Sequence, residues 1–346
     1  MGARSVGTVV VTGAAGFLGR VVVQQLLEGG SPLAPREVRA LDRARVVEPR
    51  ARPIEADVRS LAALREAVRG ADAVIHCAAL VDWGREPDEA LHAVNVVGTD
   101  NVIQACRAEG VPAMVHTSTL DVLWTGRPLR GGDESLPHAA QHANGYNRTK
   151  AEAERRALAA SDARLGVSVI RPCCIFGEGD PFHVEPLLEL GRRGRLVRVG
   201  DGRARCSFSY VGNVAHGLLV AARSLLEDRR AAGQVYFVTD CAPANFFDFV
   251  APFVEAEGVR MPPASSALPR APLYAIGAAL ESAAALARPL VRLTPTLTRF
   301  AVDFVCQDFI IESDKIAREL GYAPRFTPEE AVLRTIAWHR RRALSA

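Results

Sequence analysis

Thr8-Val9-Val10-Val11-Thr12-Gly13-Ala14-Ala15-Gly16-Phe17-Leu18-Gly19 is the stretch whose reading decides the fold. Its β-branched start suits a strand buried on both faces. An apolar segment, Val21 to Leu27, reads as the following helix and stops at Gly29-Gly30. Strand, glycine turn and helix together give a glycine motif its meaning. The glycines let the backbone approach a pyrophosphate, which sits at the positive end of the helix. Gly13, Gly16 and Gly19 are spaced G-x-x-G-x-x-G. In this setting the turn points to a dinucleotide held by Gly13, Gly16, Phe17, Leu18 and Gly19.

Downstream, short apolar strands alternate with helical stretches, the pattern of an open parallel α/β sheet. Glu37 to Leu41 reads as the second strand and ends at Asp42. A carboxylate there can accept from both ribose hydroxyls and repels a 2′-phosphate, which favours NAD. Arg43 and Arg45 could receive a phosphate and leave NADP open. Asp57-Val58 follows a third short strand, where an adenine amino group is often held; the alternative for Asp57 is a helix N-cap before Ser60 to Val68. Asp72 to Cys77 gives a fourth strand, and small Ala78-Ala79 lets the cofactor pass closely. Asn95 falls in a long predicted helix, Ala90 to Ala108, and either braces a neighbouring element or lies on the surface. Met114 to Thr119 runs a fifth strand into a hydroxyl cluster that includes Thr117, Ser118 and Thr119. Gly166 to Arg171 is the sixth strand, ended by Pro172, with Cys173-Cys174 at the same edge beside the expected nicotinamide pocket. These thiols read as packing residues, because nothing near them in sequence looks like a base.

Between the last two strands lies Tyr146-Asn147-Arg148-Thr149-Lys150. Residues four apart share a helix face. A free phenol, with a pKa near ~10, is a poor base at neutral pH, and a neighbouring ammonium stabilises phenolate. Such a pair can move a proton beside a hydride transfer. Ligands of an open parallel sheet collect at the carboxyl ends of its strands, so the hydroxyl cluster and the start of this helix can meet.

The 346 residues suffice for a large core. We expect residues 1–180 to form a Rossmann-type doubly wound domain. Residues 181–346 would then form a smaller, mostly helical substrate-binding part, with some segments returning to the sheet. Forty-two basic and 39 acidic residues leave a formal charge of +3, which gives no support for nucleic-acid binding. The seven scattered cysteines show no metal spacing and suggest reduced thiols in a cytoplasmic setting. No apolar signal stretch opens the chain, and no run reaches the ~18 residues of a membrane span. Past residue 180 we expect helices at Pro186–Arg193, Tyr210–Leu226 and Asn245–Glu257, and strands at Leu196–Val199 and Gln234–Thr239. Closing helices are expected at Ser313–Leu320 and Pro328–Arg342. Phe246, Phe247, Phe249 and Phe253 are expected in the core. The Ala-rich stretch 271–287 reads as a lid over an apolar pocket, a peripheral membrane contact, or a buried core helix.

Taken together, these motifs resemble the extended short-chain dehydrogenase/reductase superfamily over essentially the whole chain. Within it the chain is most similar to the 3β-hydroxysteroid dehydrogenase branch, which includes sterol-4α-carboxylate 3-dehydrogenases. That likeness rests on H-C-A-A-L-V-D-W-G from His76, N-V-V-G-T-D-N-V-I-Q-A-C from Asn95, R-P-C-C-I-F-G-E-G-D from Arg171 and R-L-T-P-T-L-T-R-F from Arg292. The resemblance implies an NAD(P)-dependent oxidoreductase with Tyr146 as acid/base. It implies that Lys150 binds the ribose and lowers the Tyr146 pKa. Thr119, with Ser118 as the fallback, would orient the substrate oxygen. A small apolar substrate and a homodimer are implied as well: a steroid, a sterol or a long-chain β-keto acid. Sugar-nucleotide epimerisation and a non-catalytic NAD(H) sensor are the rival readings. One departure is Gly212, where the branch commonly has an acidic residue.

Overall fold

The computed structural model describes residues 5–82, 86–287, 291, 295 and 297–345. Alternating strands and helices build it in chain order. The strands are β1 (Ser5–Thr12), β2 (Ala34–Asp42), β3 (Arg52–Glu55), β4 (Ala73–His76), β5 (Ala113–Thr117), β6 (Leu129–Arg130), β7 (Gly166–Pro172), β8 (Cys174–Phe176), β9 (Cys206–Tyr210), β10 (Val235–Val238), β11 (Cys241–Ala244) and β12 (Phe309–Ile310). The α-helices are α1 (Phe17–Leu27), α2 (Leu61–Val68), α3 (Asp88–Leu91), α4 (Gly98–Glu109), α5 (Gly145–Ala159), α6 (Val184–Arg192), α7 (Val211–Glu227), α8 (Phe246–Glu255), α9 (Arg270–Ala287), α10 (Arg299–Cys306), α11 (Lys315–Leu320) and α12 (Pro328–Ser345).

Seven strands form one sheet in the order β10-β7-β5-β4-β1-β2-β3, and every pairing within it is parallel. Successive side chains alternate faces. Val10, Val74, Met114 and Val167 therefore share one core with α2 and α4 residues such as Leu64 and Val102. Val9, Val11, Ile75 and Val115 face the other core, with Val22 and Val23 of α1 and Leu218 and Leu219 of α7. With both faces covered, the strands read as near-continuous apolar runs. The chain leaves β1 toward β2 and β3, then returns to β4 on the other side. A ligand crevice belongs at that reversal.

A second sheet runs in the order β11-β9-β12-β6, with β8 also paired to β9, so that β6 and β8, from before residue 180, join strands from after it. Its central strand, β9, occupies a segment for which the sequence predicts no strand, only a helix beginning at Tyr210. All five of its residues are buried, two of them serines. Ser207 accepts from the Ile311 amide, and Ser209 accepts from the Cys173 amide while donating to the Val238 carbonyl. Tertiary partners thus satisfy the hydroxyls that made the segment look polar.

Other expectations shift. The Ala90–Ala108 helix is interrupted by a π-helical turn over His92–Val97, a feature frequent at functional sites. Leu196–Val199 forms no strand; Val199 makes a single bridge to Leu268. Within α9 only Gly277 and Ala284 are buried, so the stretch is a surface helix and not a core one. No helix among the described residues is long and apolar enough to cross a membrane. Phe246, Phe247 and Phe253 are core residues, as expected. The missing acidic side chain at Gly212 has a steric reason: an added Cβ would lie 2.7 Å from the Tyr210 ring and 3.0 Å from that of Phe326. Trp83, Gly84 and residues 292–294 and 296 of the Arg292–Phe300 stretch fall outside the described residues.

Candidate active site

One cavity opens at the reversal point. It is lined by Gly13, Gly16, Phe17, Leu18 and Gly19, and by Ala79, Thr117, Thr119, Tyr146, Lys150, Pro172 and Cys173. Leu120, Ile175, Phe182, Phe300, Phe304 and Phe309 add an apolar wall to the same cavity. Residues singled out from five separate stretches of sequence therefore share one space. Asp42, Arg43, Asp57, Val58 and Ala78 lie outside its lining. Asp42 ends β2 and Ala78 follows β4, at the same carboxyl edge.

Local geometry explains the glycine turn. Gly13 has φ +70°, and a Cβ there would lie 2.6 Å from the Ala78 amide nitrogen. Only glycine tolerates both the handedness and that approach. At Gly19 a Cβ would fall 2.0 Å from the Gly13 carbonyl oxygen, so helix and turn can touch only with hydrogen there. Gly16 starts α1 with no side-chain cap, which leaves backbone donors at the positive helix end for an anion. Asp42 accepts from the Ala15 and Ala44 amides, both at 3.0 Å, and so sits against this turn. An uncapped helix end, a close-approach glycine turn and a carboxylate one strand away fit a dinucleotide's pyrophosphate and ribose. Asp57 is tied to Arg59 at 2.6 Å, and the helix N-cap beside it is Ser60.

α5 presents Tyr146, Lys150 and Glu154 at four-residue spacing, all buried. Lys150 donates to the Thr117 carbonyl at 2.6 Å. Burial lowers its pKa to about 8, although the charges of Glu154 and Cys77 oppose the shift. Glu154 accepts from Ser118 (2.5 Å), His138 (2.7 Å) and Arg171 (2.5 and 3.1 Å). Burial pushes its carboxyl up, yet these hydrogen bonds and the Arg171 charge hold it down at about 2. Ser118 thus commits its hydroxyl proton to Glu154. Asn95 is fully enclosed; it accepts from the Leu80 amide and donates to the Leu80 carbonyl and to Thr149. It therefore braces the segment after β4 against α5.

The tyrosine departs from expectation. Burial, and then the negative charge of Asp121, raise the Tyr146 pKa, and its hydrogen bond with Thr119 offsets only part of this. The phenol is neutral here, and Lys150 is not among the groups that shift it. Burial also raises the thiols: Cys173 and Cys174 lie well above their ordinary range and Cys77 is at about 11. A thiol raised in this way is poorly placed to form the thiolate that a nucleophile needs.

Sequence reasoning missed three polar groups of this site. Glu154 continues the i, i+4 face of Tyr146 and Lys150, a signal that was available. Asp121, two residues past Thr119, and His183, beside Asp180 at 3.1 Å, reach the cavity only through long-range packing.

A dinucleotide cradle meeting a buried Tyr–Lys helix face at the switch point of a parallel sheet defines an NAD(P)-dependent oxidoreductase acting on CH–OH groups. Comparison with known proteins narrows the class: residues 10–270 match the model of the 3-beta hydroxysteroid dehydrogenase/isomerase family, and the chain belongs to that family. It is 35% identical to a 2-alkyl-3-oxoalkanoate reductase from Stenotrophomonas maltophilia over 94% of this chain and 97% of that one. It is 34% identical to a 3 beta-hydroxysteroid dehydrogenase/Delta 5→4-isomerase from Mycobacterium tuberculosis, over 96% of this chain and 90% of that one. Among solved structures, a dTDP-glucose 4,6-dehydratase from Streptomyces venezuelae superimposes with a TM-score of 0.74 at 23% identity, covering 96% of this chain and 97% of that one. At that identity the likeness bears on the fold alone.

Proposed function

We propose that this enzyme interconverts a secondary alcohol and its ketone on a bulky apolar substrate, a 3β-hydroxysteroid or sterol, with NAD as the partner. The carrying observation is the apolar wall of Phe182, Phe300, Phe304 and Phe309 lining one cavity together with Thr119 and Tyr146. Residues 1–180 hold the cofactor, and residues 181–346 complete the substrate wall. The α1 end at Gly13, Gly16, Phe17, Leu18 and Gly19 takes the pyrophosphate. Asp42, with Arg43 beside it, takes the adenosine ribose and disfavours a 2′-phosphate, while Asp57 and Val58 border the adenine. Ala78, Ala79, Thr117, Pro172 and Cys173 flank the nicotinamide end. Bound NAD supplies the hydride acceptor or donor. Tyr146 passes a proton to or from the substrate oxygen, and Thr119 orients that oxygen. Lys150 holds the nicotinamide ribose with its positive charge.

A second reading draws on His183. Burial opposes its charge, but Asp180 and Cys174 hold its pKa well above the ordinary histidine value. A cation in an apolar wall suits a carboxylated ketone such as a 2-alkyl-3-oxoalkanoate. Homodimerisation and contact of 271–287 with a membrane surface belong to the same proposal. Absorbance at the NADH band distinguishes the readings, using 3β-hydroxysteroids, sterol 4α-carboxylates, 2-alkyl-3-oxoacids and UDP-sugars. Turnover of the steroids or sterols is expected. Conversion of UDP-sugars alone, or of nothing in the panel, would reject the proposal.

A further inference from the structure

Asp121 lies at the start of the short 3₁₀ turn Leu120–Leu123, and its carboxylate lines the cavity beside Tyr146. Thr119 donates its hydroxyl proton to Asp121 Oδ2 at 3.1 Å. The same hydroxyl oxygen accepts the Asp121 amide at 3.2 Å. A hydroxyl has one proton and two lone pairs. With the proton and one lone pair committed, Thr119 has a single lone pair left, which the Tyr146 hydroxyl and a substrate oxygen in the cavity must share. In this state it can accept from an alcohol but cannot donate to a ketone.

We propose that Asp121 is a positioning residue that sets the polarity of the Thr119 hydroxyl and thereby which side of the reaction binds better. Ionised, Asp121 holds the Thr119 proton and makes Thr119 an acceptor for the substrate alcohol. Protonated, Asp121 can itself donate to Thr119, which releases the Thr119 proton toward a ketone oxygen. The inference rests on Thr119 as the residue that meets the substrate oxygen. No bond to carbon changes; only one proton moves, between water and Asp121.

The surroundings place this switch in an accessible range. Burial raises the Asp121 carboxyl to about 6, against the Thr119 hydrogen bond and the charge of His183. Tyr146 of α5, Cys173 beyond β7 and His183 before α6 feel the Asp121 charge, and His183 is paired with Asp180; Lys150 and Asp82 border the same cavity. Tyr146 and Cys173 are shifted upward by burial and stay protonated near neutrality. His183 is held charged by Asp180, and Lys150 titrates higher, at about 8.

Non-reacting complexes test the proposal without turnover. A 3-oxosteroid is bound to enzyme–NAD and the matching 3β-hydroxysteroid to enzyme–NADH, and dissociation constants are measured from about pH 5 to 7.5. The oxoacid pair from the turnover panel serves as a second probe. From the upper to the lower pH, the ketone should bind about 3- to 10-fold tighter and the alcohol weaker by a similar factor, the size of one net hydrogen bond. Asp121→Asn, checked for folding by NADH binding at pH 7.5, should flatten both curves. Asp121→Glu and Thr119→Ser should keep them, and Thr119→Val should lose them. Flat wild-type curves, or an unchanged response in Asp121→Asn, would overturn the proposal alone. Failure of both pairs to bind would overturn the alcohol/ketone reading and this inference with it.

Discussion

Glu154→Gln perturbs stability and chemistry together. In the native site four donors converge on the carboxylate: Ser118, His138 and two nitrogens of Arg171. Whichever oxygen becomes NH₂, two of these donors then face another donor. Arg171, 3% exposed, also loses its counter-charge. Removing one member of a buried pair costs about 3–5 kcal/mol, because the other charge stays desolvated. At ~2.1 cal/mol/K per residue the unfolding entropy of this chain is roughly 0.7 kcal/mol/K, so Tm should fall about 4–7 °C. Glu154 is also the largest influence holding the Lys150 ammonium up against burial. Without it the lysine loses its proton at lower pH. A lysine is charged below its pKa, so the alkaline fall in kcat/KM should move to lower pH. Thermal denaturation by circular dichroism and a kcat/KM profile from about pH 6 to 9.5 read the two effects separately. A Tm change within about 1 °C would refute the buried-pair argument. A lowered Tm with an unmoved alkaline limb would confine Glu154 to a structural role.

In the wild type, kcat/KM should fall as pH rises through about 8, where Lys150 loses its charge, and Lys150→Met should remove that limb together with most activity. Tyr146→Phe should lower kcat about 10²–10⁴-fold while NAD binding, followed by fluorescence quenching, stays near the wild-type value. Gly13→Ala should cost about 1–3 kcal/mol in strain and weaken NAD binding roughly tenfold or more, since the turn must shift away from Ala78; calorimetric titration checks this. Asp42→Ser should weaken NAD about 10- to 100-fold, the worth of hydrogen bonds to a charged group, and narrow the preference over NADP; initial rates with both cofactors test it.

The cofactor half was legible because its determinants are local. Gly13, Gly16 and Gly19 act within one turn, and Asp42 ends the next strand, so spacing alone reported their geometry. Tyr146 and Lys150 were legible for the same reason, being one helical turn apart. The direction of the Tyr146 shift was not legible. It depends on how much water the fold excludes and on Asp121, which lies 25 positions upstream in sequence. β9 escaped because C-S-F-S-Y shows serines where a buried strand would show valines. Its hydroxyls are satisfied by Cys173, Val238 and Ile311, residues that no window around it contains.

The same contrast explains how one scaffold serves several substrates. The proposed cofactor and catalytic residues stand on α5 and on the turns that follow β1 and β5, and the seven-stranded parallel sheet fixes them. The apolar wall comes from elsewhere: Phe182 precedes α6, Phe300 and Phe304 belong to α10, and Phe309 starts β12. Trp124 binds these pieces together, with its ring 5.1 Å from Phe300 and 4.8 Å from Phe309. α10 also packs on α9, whose Ile276, Leu280 and Leu286 face outward. Changes in α9, α10 or β12 can therefore reshape the pocket while Tyr146, Lys150 and Thr119 keep their register. An apolar wall discriminates weakly among apolar ligands, at ~1–3 kcal/mol per methylene, so substrate identity in this fold is set by few residues. Phe304→Ala should accordingly shift preference among steroid and oxoacid substrates, seen in KM more than in kcat. An equal loss of kcat for every substrate would place Phe304 in the chemistry and not in the wall.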